Sequence, residues 1–198
     1  PCVVAAIVIS VLAKIGYEVG LDVLTFKCLF RGLRRPALPE DRERLVHAVI
    51  ICAYKEPFEV LAATIGSLAA NNLAKSCVVI LATEARDESA DPTFARLDAE
   101  FGGDFLEFFQ TRHSLGPGEV AGKSSNERHA CMELYSWAQA RSIDPYTVMV
   151  TTADADSQFD SVFLEHLEAE FCRQPDGRHT LFDSPINTYR NLAACHPL

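Results

Sequence analysis

From residue 45 onward, short apolar runs of strand length alternate with longer stretches in which apolar residues recur every three or four positions. Leu45 to Ala53 predicts a strand. Pro57 then stands at a natural first helical position, and Phe58, Leu61, Ile65 and Leu68 repeat at helical spacing up to Asn71-Asn72. Cys77 to Ala82 predicts a second strand, and Asp91-Pro92 opens a helix with Phe94, Leu97 and Phe101 on one face, ended by Gly102-Gly103. Phe105 to His113 predicts a third strand. After the glycine-rich stretch Ser114 to Gly122, Ser124 and Glu127 have capping-box spacing for a helix that turns Ala130, Leu134, Trp137 and Ala138 inward and breaks at Asp144-Pro145. Tyr146 to Thr152 predicts a fourth strand, Asp160 caps a helix with Phe163, Leu164, Leu167 and Phe171 inward, and His179 to Phe182 has the look of a further strand. Strands alternating with helices predict an α/β layered fold with a mainly parallel central sheet.

The N-terminal stretch has a different pattern. The apolar run Val3 to Ala13 stops at Lys14, short of the roughly 20 residues a membrane-spanning helix needs. Behind it, Lys27, Arg31, Arg34 and Arg35 interleave with Leu24, Phe26, Leu29, Phe30 and Leu33, as in a juxtamembrane segment on the cytoplasmic side. A buried N-terminal helix with a basic end is the other reading. Pro36 to Arg44, with two prolines and alternating charge, reads as a linker. The expected organisation is a membrane-proximal or anchoring segment (1–35), a linker (36–44) and a globular domain (45–198). A chain that starts on Pro1 and ends on Cys195-His-Pro-Leu198 reads as a piece of something longer.

Composition narrows the function classes. A length of 198 residues with 48% apolar content is enough to bury a core, and a net charge of −9 provides no field for a polyanion, so nucleic acid is not an expected partner. The 7 cysteines form no C-x-x-C pair and read as free thiols in a reducing, cytosol-facing environment. The 6 histidines have no metal-ligand spacing, and Ser114, Ser124, Ser125 and Ser157 have no evident triad partners. His113, at a strand end, is the one histidine that stands out.

Asp154-Ala155-Asp156 follows the fourth strand. Extended geometry sends side chains at i and i+2 the same way, so both carboxylates are expected to converge where the strand leaves the sheet. Such a pair suits Mg2+ or Mn2+, held by one or two carboxylates together with the phosphate oxygens of a substrate. Tyr54-Lys55-Glu56, Thr83-Glu84, Arg112-His113 and the acidic pair all fall at carboxyl ends of predicted strands, where ligands bind in such sheets. Gly122-Lys123 precedes a helix whose N-terminal amides favour an anion, and the ammonium adds a point charge suited to phosphate. It is not a Walker A loop, since position 117 is Pro rather than Gly.

The order A-Y-K-E-P after the first strand, acids after the second, G-K-S-S-N at a helix start and then D-A-D-S resembles the donor-binding half of a family 2 glycosyltransferase with a GT-A fold. The flavour is that of membrane-associated polysaccharide-synthase-like members, and the resemblance spans roughly Leu45 to Asn191. It implies transfer of a sugar from a UDP-sugar to a glycan or other hydroxyl acceptor, at a membrane with the domain facing the cytosol. It places Tyr54, Lys55 and Glu56 at the nucleotide, although Glu56 also suits the start of the following helix. Where the family has an Asp-Asp-Gly-Ser setting this chain has Ala82-Thr-Glu-Ala-Arg-Asp87, leaving Glu84 as the base-binding acid and Asp87 as its alternative. Lys123 and Asn126 match the Gly-Lys motif and its downstream Asn; Asp154 takes a sugar-side or metal role and Asp156 that of the metal ligand. The catalytic base is expected beyond Leu198, because Glu165, Glu168 and Glu170 read as a solvated helical face. Two other readings fit a D-x-D after a strand or an incomplete enzyme: a haloacid-dehalogenase-like phosphohydrolase with Asp154 as nucleophile, and a non-catalytic nucleotide-sugar-binding domain.

Overall fold

The computed structural model describes residues 2–32 and 35–183. Residues 36–180 form one compact unit. In chain order its main elements are β1 (Val46–Ala53), α2 (Phe58–Ala69), β2 (Cys77–Glu84), α3 (Ala90–Phe101), β3 (Glu107–His113), α4 (Lys123–Ala140), β4 (Val148–Asp154) and α5 (Phe163–Arg173), with α1 (Cys2–Gly32) outside that unit. All strands are parallel, in the order β3-β2-β1-β4. This is an α/β layered, Rossmann-like fold, as the alternation predicts.

Each parallel return needs a crossover, which α2, α3 and α4 supply, and α5 joins them in covering the sheet. Odd-numbered β1 residues Val49 and Ile51, with Val79 and Leu81 of β2, pack against Leu61, Ile65 and Leu68 of α2, Leu97 of α3 and Leu164 of α5. Even-numbered Ala48 and Ile50, with Val78, Ile80 and Ala82, pack against Ala130, Leu134 and Trp137 of α4. β2 is buried along its whole length because both faces are covered, which is why it reads as a continuous apolar run rather than an alternating one. The thiols of Cys52 and Cys77 are both pushed up to about 12 by burial, and both are free.

Three local expectations are corrected. The helix after the glycine-rich loop starts at Lys123 with no side-chain cap, so Ser124 and Glu127 make no capping box. Glu127 instead meets Lys123 across one helical turn at 3.5 Å, and Ser125 Oγ donates to the Gly122 carbonyl. No strand forms over residues 179–182. A 3-10 turn spans Gly177–His179, and Asp176 ties it down by accepting from the His179 ring at 2.9 Å and, through its carbonyl, from Thr180 Oγ1 at 2.7 Å.

The third correction is the most consequential. Glu165 and Glu168 of α5 are buried rather than solvated. Glu168 Oε2 accepts from Arg42 Nε at 2.7 Å and its Oε1 meets His47 Nε2 at 3.3 Å, while Glu165 Oε2 accepts from Asn72 Nδ2 at 3.0 Å. Burial pushes the Glu168 carboxyl upward, but the bonds from His47 and Arg42 outweigh it and hold it below its ordinary range. Arg42 and Glu43, expected within a linker, are thereby fastened to the folded unit, Glu43 through Arg178 at 2.9 Å. Of the three acids, only Glu170 fits the solvated reading, as an exposed partner of Arg173.

α1 is a single helix of 31 residues, about 46 Å long at 1.5 Å per residue. It runs past Lys14, which meets Glu18 one turn on at 3.8 Å, and it leaves Val8, Ile9, Val11, Leu12, Ile15 and Tyr17 exposed. Among the described residues no helix is long and apolar enough to cross a membrane. Leu33 and Arg34 of the basic cluster, and the chain from Ser184 to Leu198, lie outside the described residues.

Candidate functional site

The strand order sets the location of the site. The chain winds outward from β1 to β2 to β3 and then returns through α4 to place β4 on the other side of β1. Its crossover helix therefore packs on the opposite face from α2, α3 and α5. Loops leaving β1 and β4 diverge at this reversal, and the crevice outside the carboxyl ends of the strands there is where open α/β sheets bind ligands. Tyr54-Lys55-Glu56 and Ala155-Asp156 are the segments that leave those two strands.

β4 starts and ends two residues later than the sequence pattern predicts: Asp144-Pro145 closes a 3-10 turn over Pro145–Thr147 before the strand begins, and pairing with Cys52 carries it to Asp154 itself. Asp154 is paired in register with Cys52 and shares its face of the sheet, the α4 face. Lys123, the first residue of α4, reaches it, with Nζ donating to Asp154 Oδ1 at 2.6 Å. That bond holds the ammonium above its ordinary range. The two side chains are 47% and 69% exposed, so the pair contributes little to stability. It is a pair that a bound anion or cation can rearrange.

The segment after β4 is stitched to polar residues on α2 and just past its end. Thr64 Oγ1 donates to the Ala155 carbonyl at 2.6 Å, Ser67 Oγ accepts from the Phe159 amide at 3.0 Å, and Asn71 Nδ2 donates to the Asp160 carbonyl at 2.9 Å. With Ala155 buried and its carbonyl fixed, Asp156 is turned to the exposed rim. Thr64, Ser67 and Asn71 are site-positioning residues that the pattern analysis passed over. Their signal is a set of polar positions spaced by three and four, two inside the apolar α2 and the third just past its end.

The loops after β1 and β2 are joined by two clusters. Asp87 is buried, and its carboxylate accepts from the Lys55 amide at 2.7 Å, the Ser89 amide at 3.0 Å and the Ser89 hydroxyl at 2.6 Å. Burial alone would raise this carboxyl, but the three bonds reverse the sign and hold it low. The bond from its amide also holds Lys55 at φ 62°, a left-handed conformation unfavourable for a side chain other than glycine. Glu84, at the end of β2, is buried and paired with Arg86, whose guanidinium lies over the Tyr54 ring at 4.5 Å. Tyr54, Lys55, Glu84 and Asp87 are thus brought to one rim. Glu56 is exposed and makes no capping bond to α2; with Ala53, Thr83, Asp87 and Ser89 it lines a shallow cleft beside that rim.

At the β3 end, His113 is buried, its Nε2 meets Glu119 Oε2 at 3.2 Å, and its ring stacks on His129 of α4 with centroids 5.1 Å apart. Glu119 also accepts from the Gly116 amide at 3.0 Å, so this acid closes the loop that leads to Lys123. Gly118 in the same loop takes φ 80°, which glycine adopts without strain. Asn126 is buried and donates to the Ala82 carbonyl at 2.8 Å, fixing the first turn of α4 over the sheet. Among the described residues no group of three or more His, Cys, Asp or Glu side chains is arranged to hold a metal ion. No family model matches the chain, and no curated protein matches it.

Proposed function

We propose that residues 36–180 bind a nucleoside-diphosphate sugar, with UDP as the nucleotide, as the donor half of a family 2-type glycosyltransferase that acts on a glycan or other hydroxyl acceptor. The observation that supports this most is the Lys123–Asp154 contact at the point where strand order reverses, with Asp156 exposed two residues on. An ammonium at the start of an 18-residue helix and two hard carboxylates on the same rim form a set suited to a diphosphate and its cation.

In this reading Asp154 and Asp156 would hold Mg2+ or Mn2+. Their donor chemistry fits, since two accessible carboxylates leave the remaining positions of the cation to phosphate and water oxygens, and no larger protein cage is needed. Bound there, the cation supplies charge to stabilise the departing diphosphate. Lys123 leaves Asp154 for the phosphates and adds a second positive charge. Tyr54, stacked on Arg86, offers a flat face to the base, and Asp87 rather than Glu84 shapes the loop beneath it, because Glu84 is already spent on Arg86. The segment α1, with its exposed apolar side chains, is proposed to hold the domain at the cytosolic face of a membrane.

Calorimetry of UDP with the protein tests the central claim. Binding is expected with Mn2+ or Mg2+ and should vanish with EDTA, and Asp156→Ala should weaken it more than Asp154→Ala, whose carboxylate is already shared with Lys123. Equal affinity with and without metal would sink the proposal. Phosphatase turnover with a covalent phosphate on Asp154 would replace it by a hydrolase.

A further inference from the structure

Three polar atoms beneath the first turns of α4 have no hydrogen-bond partner among the described residues: Thr111 Oγ1, His113 Nδ1 and Asn126 Oδ1. Each belongs to a side chain that is more than nine-tenths buried. Thr111 and His113 are two apart on β3 and therefore share a face. It is the α4 face, because Phe109 two residues earlier packs with the α4 cluster and His113 stacks on His129. Asn126 lies one turn before His129, and it donates to Ala82, the β2 residue paired in register with Thr111. The three groups thus share the layer between β3 and the first turns of α4.

Their chemistry defines what fits there. A carboxylate only accepts, so in the neutral ring the His113 nitrogen facing Glu119 is the one that carries hydrogen, and Nδ1 is left as an acceptor. Asn126 has its amide nitrogen committed to Ala82, and its Oδ1 is a second acceptor. The Thr111 hydroxyl brings a hydrogen. Two acceptors and one donor are the complement of a single water molecule, which donates twice and accepts once.

We infer that the three atoms converge on a binding site for one structural water, donating to His113 Nδ1 and Asn126 Oδ1 and accepting from Thr111 Oγ1. The water pins the His113 ring at its second nitrogen, and the first holds Glu119 and with it the 114–122 loop. On the other side it steadies Asn126, three residues after Lys123. It is thus the joint between the end of β3 and the start of α4, independent of what the rim binds.

Thr111→Val and Thr111→Ser, made in the full chain, test this by thermal unfolding and by the 15N resonances of the His113 ring. The valine variant should lower Tm by about 2–4 °C or more and shift His113 Nδ1 towards the position of an unbonded acceptor. The serine variant, which keeps the hydroxyl, should hold the His113 resonance. An orphan hydroxyl exchanged for a methyl of the same shape is neutral or stabilising, so an unchanged or raised Tm in Thr111→Val with an unmoved His113 resonance overturns the inference. Serine falling as far as valine with that resonance unmoved overturns it equally. Should the valine variant not fold, the unaltered protein decides. Cross-relaxation between a long-lived water and the Thr111 and His113 protons supports the site, and none excludes it.

Discussion

Glu168→Ala should destabilise the protein by about 3–5 kcal/mol, the range for breaking a buried ion pair by removing one partner. The side chain sits on an outwardly charged helix and looks expendable, yet it is 4% exposed and bonded to both Arg42 and His47. Its removal leaves the His47 ring, fully buried, without its partner at Nε2, while Nδ1 already lacks one among the described residues. Glu168→Gln keeps the shape and loses the charge, so its effect should be smaller and should depend on pH. Because the folded carboxyl is held below its ordinary value of 4.5, the stabilisation is fully present above that pH and is lost as pH falls through the folded value. The gap between the natural protein and Glu168→Gln in urea unfolding should therefore be widest near pH 7 and should close on acidification below 4.5. A loss under about 1 kcal/mol for Glu168→Ala, typical of a surface site, would show that the pair is not the anchor described.

The same residue shows where local pattern stops being informative. β1 to β4 and their helices were legible because apolar periodicity is set by burial on a sheet face, and burial is what these segments share. The positions of the helical acids were not. Glu168 is buried by partners 121 and 126 residues away, so nothing within its own helix distinguishes it from the exposed Glu170. The turn at Asp176 has a local cause, but its signal competes with the strand-like run that follows it. The capping-box spacing places the cap of α4 at Ser124, two residues after the Gly122 where it lies, because Glu127 pairs with Lys123 instead of turning back to the helix end.

At the rim, the sequence pattern assembles the right loops without deciding between neighbouring acids. Glu84 and Asp87 are both buried, and only their partners separate them: Arg86 neutralises the first, whereas backbone amides and a serine hydroxyl hold the second. Those amides also fix the β1 loop. An Asp87→Asn change replaces an acceptor by an amide that cannot satisfy three donors, so it acts on loop geometry as well as charge. The arrangement of Asp154 and Asp156 likewise depends on Thr64 and Ser67, about 90 residues upstream, which hold the Ala155 carbonyl and the Phe159 amide.

Lys123→Ala should reduce UDP affinity about tenfold or more, equivalent to losing a charge-assisted contact of about 1.5–3 kcal/mol, while uridine affinity stays nearly constant. The fold should change by about 0.5 kcal/mol or less, because the exposed pair with Asp154 contributes little to stability. A further consequence distinguishes this residue from a plain helix start. In the unliganded protein the ammonium occupies Asp154 Oδ1, so a cation approaching that carboxylate competes with it. Removing the side chain should leave Mn2+ affinity in the absence of nucleotide unchanged or higher, even as UDP affinity falls. Opposite signs for metal and nucleotide are the expected result from one calorimetric series. If UDP and uridine weaken together, the loss is one of loop structure. If neither weakens, Lys123 serves only Asp154 and Glu127, and the proposal of a diphosphate at this rim loses the residue on which it most depends.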